Sequence, residues 1–318
     1  MEDLKEISIN QLPSKTWHWL NVNDTRIQWG KEMVPCQVHY EENGEDPSDF
    51  ELRRMEISDG DGEWSSGTKE IQAADGKHLT LIQSFVKGNP TKANLAFCTR
   101  LHIGKDSKVR LIQIIMREKD HTLQNNVECI CQEKGQLELL QMYIGTGDVY
   151  GEVRTQLAGD KAEMHTEIGY LGQGEQKIDL NLVADHLGKK TISFIKADGT
   201  LKDAAKKIFR GTIDFKNGSS GSEGEETENV LLLGDQVENR TVPLILCAEE
   251  DVKGNHGATI GALDAETLFY FASRGIDAVQ AENMMTRAKL ETLAGHIRDE
   301  KTEAVVEQQL LEVIGNGE

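Results

Sequence analysis

The sequence contains little cysteine, proline or aromatic residue, and it has no long apolar run. There are five cysteines in 318 residues. An odd number of thiols in a chain of this length disfavours a disulfide framework and favours a reducing, cytoplasmic setting. No apolar stretch approaches the ~18 residues of a membrane-spanning helix, and the acidic N-terminus lacks the apolar segment of a secretory signal. The sequence therefore predicts a cytoplasmic protein without membrane contact.

Positive charge is also scarce, with 35 Lys and Arg against 54 Asp and Glu and a net charge of −19. Nucleic acids and anionic membranes bind clustered cations, so neither is an expected partner. The stretch 188–191, Gly-Lys-Lys-Thr, lacks the register of a phosphate-binding loop, and no G-x-S-x-G elbow is present. We expect that the chain is not an enzyme, and that any ATP-dependent role would need a separate ATPase.

From about His78 to Leu246, short segments of alternating apolar residues are separated by glycine or charged turns, which predicts β-strands. Further candidate strands are Leu137–Ile144, Val153–Leu157, Ala162–Ile168, Ile178–Leu182, Thr191–Ile195 and Ile208–Phe215. No amphipathic helix interrupts them, which disfavours βαβ units. Periodicity alone is compatible with a sandwich, a barrel or a β-solenoid.

The chain after Asp264 has a helical pattern. Asp264 is a good N-cap, and Asp277 with Gln280 forms a capping box. Two apolar stripes follow, one of Ala281, Met284, Met285 and Ala288, the other of Val305, Val306, Leu310, Val313 and Ile314. Such stripes pack on a core or dock a partner, and the sequence does not choose between the two.

The stretch 240–290 joins the strand pattern to the helical one. Lys253–Gly257 sets a histidine between two glycines, which predicts a tight turn that leaves His256 accessible. Imidazole is a good iron ligand. Cys247 and Glu249 are weaker candidate ligands nearby, whereas Cys129 and Cys131 are interpreted as core neighbours on one strand face. The Gly-, Ser- and Glu-rich stretch 216–229 predicts a mobile surface loop.

Several short motifs lie between residues 209 and 276. They are Phe209-Arg210-Gly211, Leu231-Leu232-Leu233-Gly234, Thr241-Val242-Pro243, Asp251-Val252-Lys253, His256-Gly257-Ala258-Thr259-Ile260-Gly261, Leu268-Phe269-Tyr270 and Ser273-Arg274-Gly275-Ile276. Together they resemble the SufB/SufD family, the scaffold subunits of the SUF iron–sulfur cluster assembly system. The His-Gly-Ala-Thr form is more similar to SufD than to SufB, which has a glutamate after the histidine.

The resemblance implies a mainly β fold, with a right-handed β-helix core and a C-terminal α-helical region, in a compact family member. It divides the chain into a mixed N-terminal segment (1–75), the β-helix core (76–262) and a helical region that docks an ATPase (263–318).

The resemblance also implies that the chain pairs with another SufB/SufD-type scaffold chain and with a SufC-type ATPase. The second scaffold could be a paralogue or another copy of the same chain. A transient iron–sulfur cluster would form at the subunit interface, near His256, and none is expected in the isolated chain. The implied partner-binding residues are Thr241, Val242, Pro243, Leu268, Phe269, Tyr270, Arg274, Met284 and Met285.

Two departures from the family pattern concern the cluster site. SufD-like sequences commonly have a cysteine where this chain has Gly254, and the segment that carries the proposed SufB cluster cysteine is 226–229 here, without a thiol. Since thiolate is the preferred iron–sulfur ligand, a purely structural, ATPase-binding subunit is the alternative. A β-helix carbohydrate-active enzyme is a second alternative, which the missing export signal disfavours.

Overall fold

The computed structural model describes residues 4–16, 18–47, 50–88 and 92–314. The strands are β1 Leu4–Ile9, β2 Thr25–Gly30, β3 Val34–Pro35, β4 Gln37–Tyr40, β5 Gly44–Glu45, β6 Glu51–Ser58, β7 Trp64–Ala73, β8 His78–Phe85, β9 Ala93–Ile103, β10 Lys108–Ile115, β11 His121–Cys131, β12 Gln136–Tyr143, β13 Val149–Leu157, β14 Glu163–Gly172, β15 Lys177–His186, β16 Ile192–Lys202, β17 Lys206–Phe215, β18 Ser222–Leu233, β19 Glu238–Cys247 and β20 Val252–Gly261. The helices are a 3-10 turn at His18–Leu20, α1 Ala265–Ala272, α2 Ala278–Ala294 and α3 Glu300–Ile314.

From β6 to β20 the strands alternate between two parallel sheets, so the chain winds as a β-solenoid of about eight turns. Even-numbered strands from β6 to β20 form one sheet, extended at its first edge by antiparallel β4. Odd-numbered strands from β7 to β19 form the other, extended by β3. The predicted β-helix core with C-terminal helices is confirmed. The parallel coils begin at β6, Glu51–Ser58, which is earlier than the predicted start of the core at residue 76.

The solenoid core is filled by side chains that recur at the same register on successive coils. Leu81, Leu111 and Leu139 stack in one such column of the even-numbered sheet. Alternate residues of a strand point to opposite faces, so each strand sends every second side chain inward. The predicted core position of Cys129 and Cys131 is confirmed, since both are buried with their sulfur atoms 3.7 Å apart.

Helices α2 and α3 cover the outer face of the even-numbered sheet. Leu290 and Leu293 from α2 and Leu310 from α3 form one apolar cluster with Ile112 and Met142 of the sheet. Asp299, between the two helices, also accepts hydrogen bonds from Arg54 of β6. Among the described residues, no helix combines the length and apolar character required to span a bilayer.

The N-terminal segment, described over residues 4–16 and 18–30, covers part of the outer face of the odd-numbered sheet. Its two strands pair antiparallel as a hairpin, and Leu12 and Val22 pack against Val242 of β19. Arg210 of β17 donates to the carbonyl of Val22 at 2.6 Å and to Asp179 of β15 at 2.5 Å. The segment is therefore attached to the sheet by apolar contacts and by a hydrogen bond from a buried guanidinium.

The structure corrects two sequence predictions. The stretch 216–229 is not a surface loop throughout, because Ser222–Leu233 forms β18, with Glu226 and Glu228 buried. The stretch 253–257 is not a turn, because it lies inside β20, which pairs residue by residue with β18. In both cases pairing with the preceding coil imposes an extended backbone on a glycine-containing sequence whose local preference is for turns.

The burial of His186 between the two sheets predicts that the folded protein loses stability in acid. Its two ring nitrogens lie 2.7 Å from the Thr191 hydroxyl and 2.8 Å from the Ser193 hydroxyl, and burial lowers the pKa of His186 to about 4. In the unfolded chain the imidazole takes up a proton near its ordinary pKa of about 6.5. The unfolded state therefore binds more protons between those values, and about 3 kcal/mol of stability is lost as the pH falls from 6.5 to 4.

His186→Gln, which can still bond both hydroxyls, is expected to flatten the pH dependence of the urea midpoint over this interval. The matched control is the same substitution at exposed His102. Equal slopes in wild type and the His186 variant would contradict the assignment.

Candidate functional site at the open end of the solenoid

The last coil, β19 and β20, leaves the solenoid end uncovered. Each strand is the edge of its sheet, and within the described ranges no strand pairs with its outer side. The residues of β20 after Val252 are exposed along the whole strand. An open edge with free backbone N–H and C=O groups is a template for pairing with another chain.

His256 lies on the inward-facing side of β20. A methyl group placed on Gly254 would lie 2.9 Å from the Ile245 side chain and 3.1 Å from the Phe215 ring, so position 254 faces the interior. By strand alternation His256, Ala258 and Ile260 share that face. His256 is exposed because no further coil lies above it. The predicted accessibility of this imidazole is confirmed, although it is presented by a strand and not by a turn.

The coil beneath His256 contains three buried ionisable groups, Lys207, Glu226 and Glu228. In β18, Glu226 pairs in register with His256, and Glu228 pairs with Ala258. Glu228 accepts hydrogen bonds from Lys207 of β17, from the Tyr170 hydroxyl at 3.3 Å and from the Thr241 hydroxyl at 2.6 Å. Both oxygens of Glu228 are therefore occupied.

Glu226 differs from Glu228, since it makes no hydrogen bond or ion pair within the part of the chain that the structure describes, although only 3% of it is exposed. Burial, with the nearby Glu228 charge, raises the pKa of Glu226 to about 8, against a smaller opposing effect of Lys207. Gly211 leaves the space for this carboxyl, because a methyl group at Gly211 would lie 2.1 Å from Glu226 Oε2. Each residue of the Phe209-Arg210-Gly211 motif thus has a separate role. Phe209 packs in the core, Arg210 holds the N-terminal segment, and Gly211 leaves space for the Glu226 carboxyl.

The other candidate ligands lie at the edge of the open end. Cys247 is the exposed last residue of β19, in register with Phe215. Glu249, in the following turn, accepts hydrogen bonds from the backbone N–H groups of Gly218 and Glu250, both at 3.0 Å. Hydrogen bonds from backbone N–H groups, first that of Gly218 and then those of Glu250 and Asp251, lower the pKa of Glu249. Its carboxylate therefore joins two successive turns.

The residues predicted to bind partners fall into two regions. Thr241 and Pro243 belong to the inward-facing side of β19, whereas Val242 points outward and is buried under the N-terminal segment. The remaining predicted residues are Leu268, Phe269, Tyr270, Arg274, Met284 and Met285, and they lie on or next to α1 and α2.

Helix α1 has no buried residue. Phe269 and Tyr270 are 74% and 54% exposed, and the Arg274 guanidinium lies 3.7 Å from the centre of the Tyr270 ring. On α2, Met284 is exposed and Met285 half-buried. An exposed aromatic pair on an otherwise uncovered helix is typical of a docking surface.

A groove of about 610 Å³ lies elsewhere, on the outer face of the even-numbered sheet beside the α2–α3 connection. Its charged side chains are largely paired with one another, for example Glu138 with Arg110 at 3.1 Å and Glu167 with His296 at 2.7 Å. None of the predicted site residues lines it.

The open end combines an accessible imidazole with a buried carboxyl in the same column. Among the described residues no group of three or more His, Cys, Asp or Glu side chains is placed to hold a metal ion. Sequence reasoning missed Glu226 because 216–229 was interpreted as a loop. The alternation of Ser222, Gly224, Glu226, Glu228 and Val230 on one face was the available signal, but polar residues on both faces obscured it.

Comparison with known proteins agrees with these features. The family described as SUF system FeS cluster assembly, SufBD core domain, matches residues 56–289. SufD of Bacillus subtilis is 26% identical over 252 residues, covering 77% of this chain and 55% of that protein. SufD of Escherichia coli is 24% identical over 246 residues, covering 77% and 57%. SufB of Bacillus subtilis is 24% identical over 163 residues, covering 51% and 35%.

The chain thus spans a little over half the length of the two SufD proteins. Because the family match extends over most of the sequence and includes the solenoid, the open end and α1, the chain belongs to the SufB/SufD family of iron–sulfur cluster assembly proteins and is SufD-like.

Proposed function

We propose that this protein is a scaffold subunit of iron–sulfur cluster assembly that pairs with a second SufB/SufD-type chain through the open end of its solenoid. The observation that carries the proposal is the position of His256, exposed on the inward-facing side of the last, unpaired strand. A second solenoid docked there would enclose the imidazole between the two chains. Iron and sulfide, the substrates of assembly, would then meet away from bulk water.

A SufC-type ATPase is the second proposed partner, docked on the C-terminal helices. Exposed Phe269 and Tyr270 on α1 support this assignment, since aromatic side chains dominate many binding surfaces. Closure of two such ATPases would separate or twist the paired scaffolds and open the interface. In this scheme the ATPase supplies the energy, and the scaffold has no catalytic residue of its own.

The test is anaerobic reconstitution of the complex after co-expression with SufB-type and SufC-type proteins from the same source. His256→Ala is expected to leave the complex intact and to lower its visible cluster absorbance several-fold, because one ligand is lost. Asn255→Ala, on the opposite face of the same strand, is the matched control and should retain the absorbance of the wild type. Equal absorbance in the His256 and Asn255 variants would remove His256 from the mechanism.

A structural subunit without its own metal site is the second candidate. Gly254 and the absence of a three-ligand group in the described residues favour it. Iron analysis of the complex, after each metal ligand of the partner scaffold has been removed by mutation, separates the two functions. Iron stays bound only if this chain supplies ligands of its own.

A further inference from the structure

The interior of the last coils contains one more carboxyl group than it has cationic groups to pair with. Glu226, Glu228 and Lys207 are all buried, and the Lys207 ammonium pairs with Glu228. One carboxylate is thereby neutralised, and Glu226 has no ionic partner within the described chain. A buried carboxylate without a partner is costly, so this position favours a cation.

The strand register places this residue directly beneath His256 of the open end. Glu226 and His256 are register partners on neighbouring parallel strands, and both belong to inward-facing columns. Neighbouring strands lie about 4.8 Å apart. Bonds from carboxylate oxygen or imidazole nitrogen to a first-row metal are about 2.0–2.2 Å long, so one ion can bridge the two side chains.

The surroundings leave Glu226 available for such a bond. The Glu228 oxygens are occupied by Lys207, Tyr170 and Thr241, whereas Glu226 accepts no hydrogen bond within the described residues. Gly211 provides space where any side chain would collide with the carboxyl. The uncovered end beyond His256 provides the entry path.

We propose that Glu226 and His256 together bind a ferrous ion, one ligand from each of the last two coils. The choice of metal rests on the proposed function, which makes iron a substrate of assembly. Carboxylate and imidazole are suitable ligands for ferrous iron. Two protein ligands leave coordination positions for water and for groups of a second chain docked on the open end. The site would therefore load iron before a thiolate-bearing partner completes the cluster environment.

The test is anaerobic titration of the isolated 318-residue chain with ferrous sulfate, with isothermal calorimetry as the readout. Wild type is expected to bind one ion, and Glu226→Gln and His256→Ala should each weaken binding at least roughly tenfold. Glu225→Gln, on the outward face of the same strand, is the matched control and should bind as wild type does. Gly211→Ala is a second variant that displaces the carboxyl without removing it, and it should also weaken binding.

The outcomes separate this inference from the proposed function. If wild type takes up no iron, or if Glu226→Gln binds as tightly as wild type, Glu226 is not a ligand, even when the complex assembles clusters. If the chain binds iron through Glu226 but recruits neither a scaffold chain nor an ATPase on co-expression, this inference stands and the proposed function fails.

Discussion

Asp59→Ala is expected to lower the free energy of unfolding by roughly 3–5 kcal/mol, because it leaves a fully buried guanidinium without its counter-ion. Arg117 donates to both Asp59 oxygens, at 2.8 and 2.7 Å, and to the Val86 carbonyl at 2.9 Å. Neither side chain has measurable exposure. Urea unfolding followed by circular dichroism measures the loss as a shift in midpoint.

Two controls define the cause of that loss. Asp59→Leu combined with Arg117→Met removes both charges and should recover most of the stability, since an apolar pair of similar volume is often as stable as a buried ion pair. Glu133→Ala breaks the exposed pair with Lys105 and should lower stability far less than Asp59→Ala does, because solvent screens exposed ion pairs. Equal losses for Asp59→Ala and Glu133→Ala would show that the buried pair contributes little.

Arg210→Ala is expected to lower the free energy of unfolding by a comparable amount. Unlike Asp59→Ala, it should loosen mainly the N-terminal segment. Besides Val22 and Asp179, Arg210 contacts the Thr25 hydroxyl at 2.9 Å, and Asn10 donates to Asp179 at 2.7 Å. Removal of the guanidinium leaves Asp179 buried without a cation and costs roughly 3–5 kcal/mol. Hydrogen exchange should show residues 4–30 losing protection while the central coils keep theirs.

Arg240→Ala is the matched control for that experiment. Arg240 is half exposed, and it donates to the Leu20 carbonyl of the same segment only at 3.4 Å. Its loss should change stability by a few tenths of a kcal/mol, as is usual for exposed contacts. Uniform loss of protection across the solenoid in Arg210→Ala would contradict the assigned role, because it would place Arg210 in the global fold instead of in the attachment of one segment.

Much of the solenoid could be predicted from local pattern. Leu137–Ile144 and Ile208–Phe215 overlap closely with β12 and β17, because most of their inward residues are apolar and their turns contain glycine or charge. The caps of α1 and α2 were also predicted correctly, since Asp264 bonds the Thr267 N–H and Asp277 forms its box with Gln280. Each of these signals lies within a few residues of the feature that it specifies.

The buried face of α2 was predicted only in part. Ala281 of the predicted stripe is buried, but Met284 is exposed, and contact with the sheet is made by Leu290 and Leu293. Leu293 packs directly over Gly169 of β14, where a methyl group would lie 2.5 Å from its side chain. Which turn of a helix meets a sheet depends on the position of the sheet, and the helix sequence does not contain that information.

The sequence by itself determined the class of fold, the strands with largely apolar inward faces, the helix caps and, through its motifs, the family. It also singled out His256 as a candidate site residue. Only the tertiary structure decided that β18 and β20 are strands, that Glu226 is buried beneath His256, and that Gly211 leaves space for it. The physical reason is that parallel pairing joins residues a full coil apart. Such pairing can impose an extended backbone on glycine-rich sequence and bury a carboxyl whose neighbours in the chain are polar.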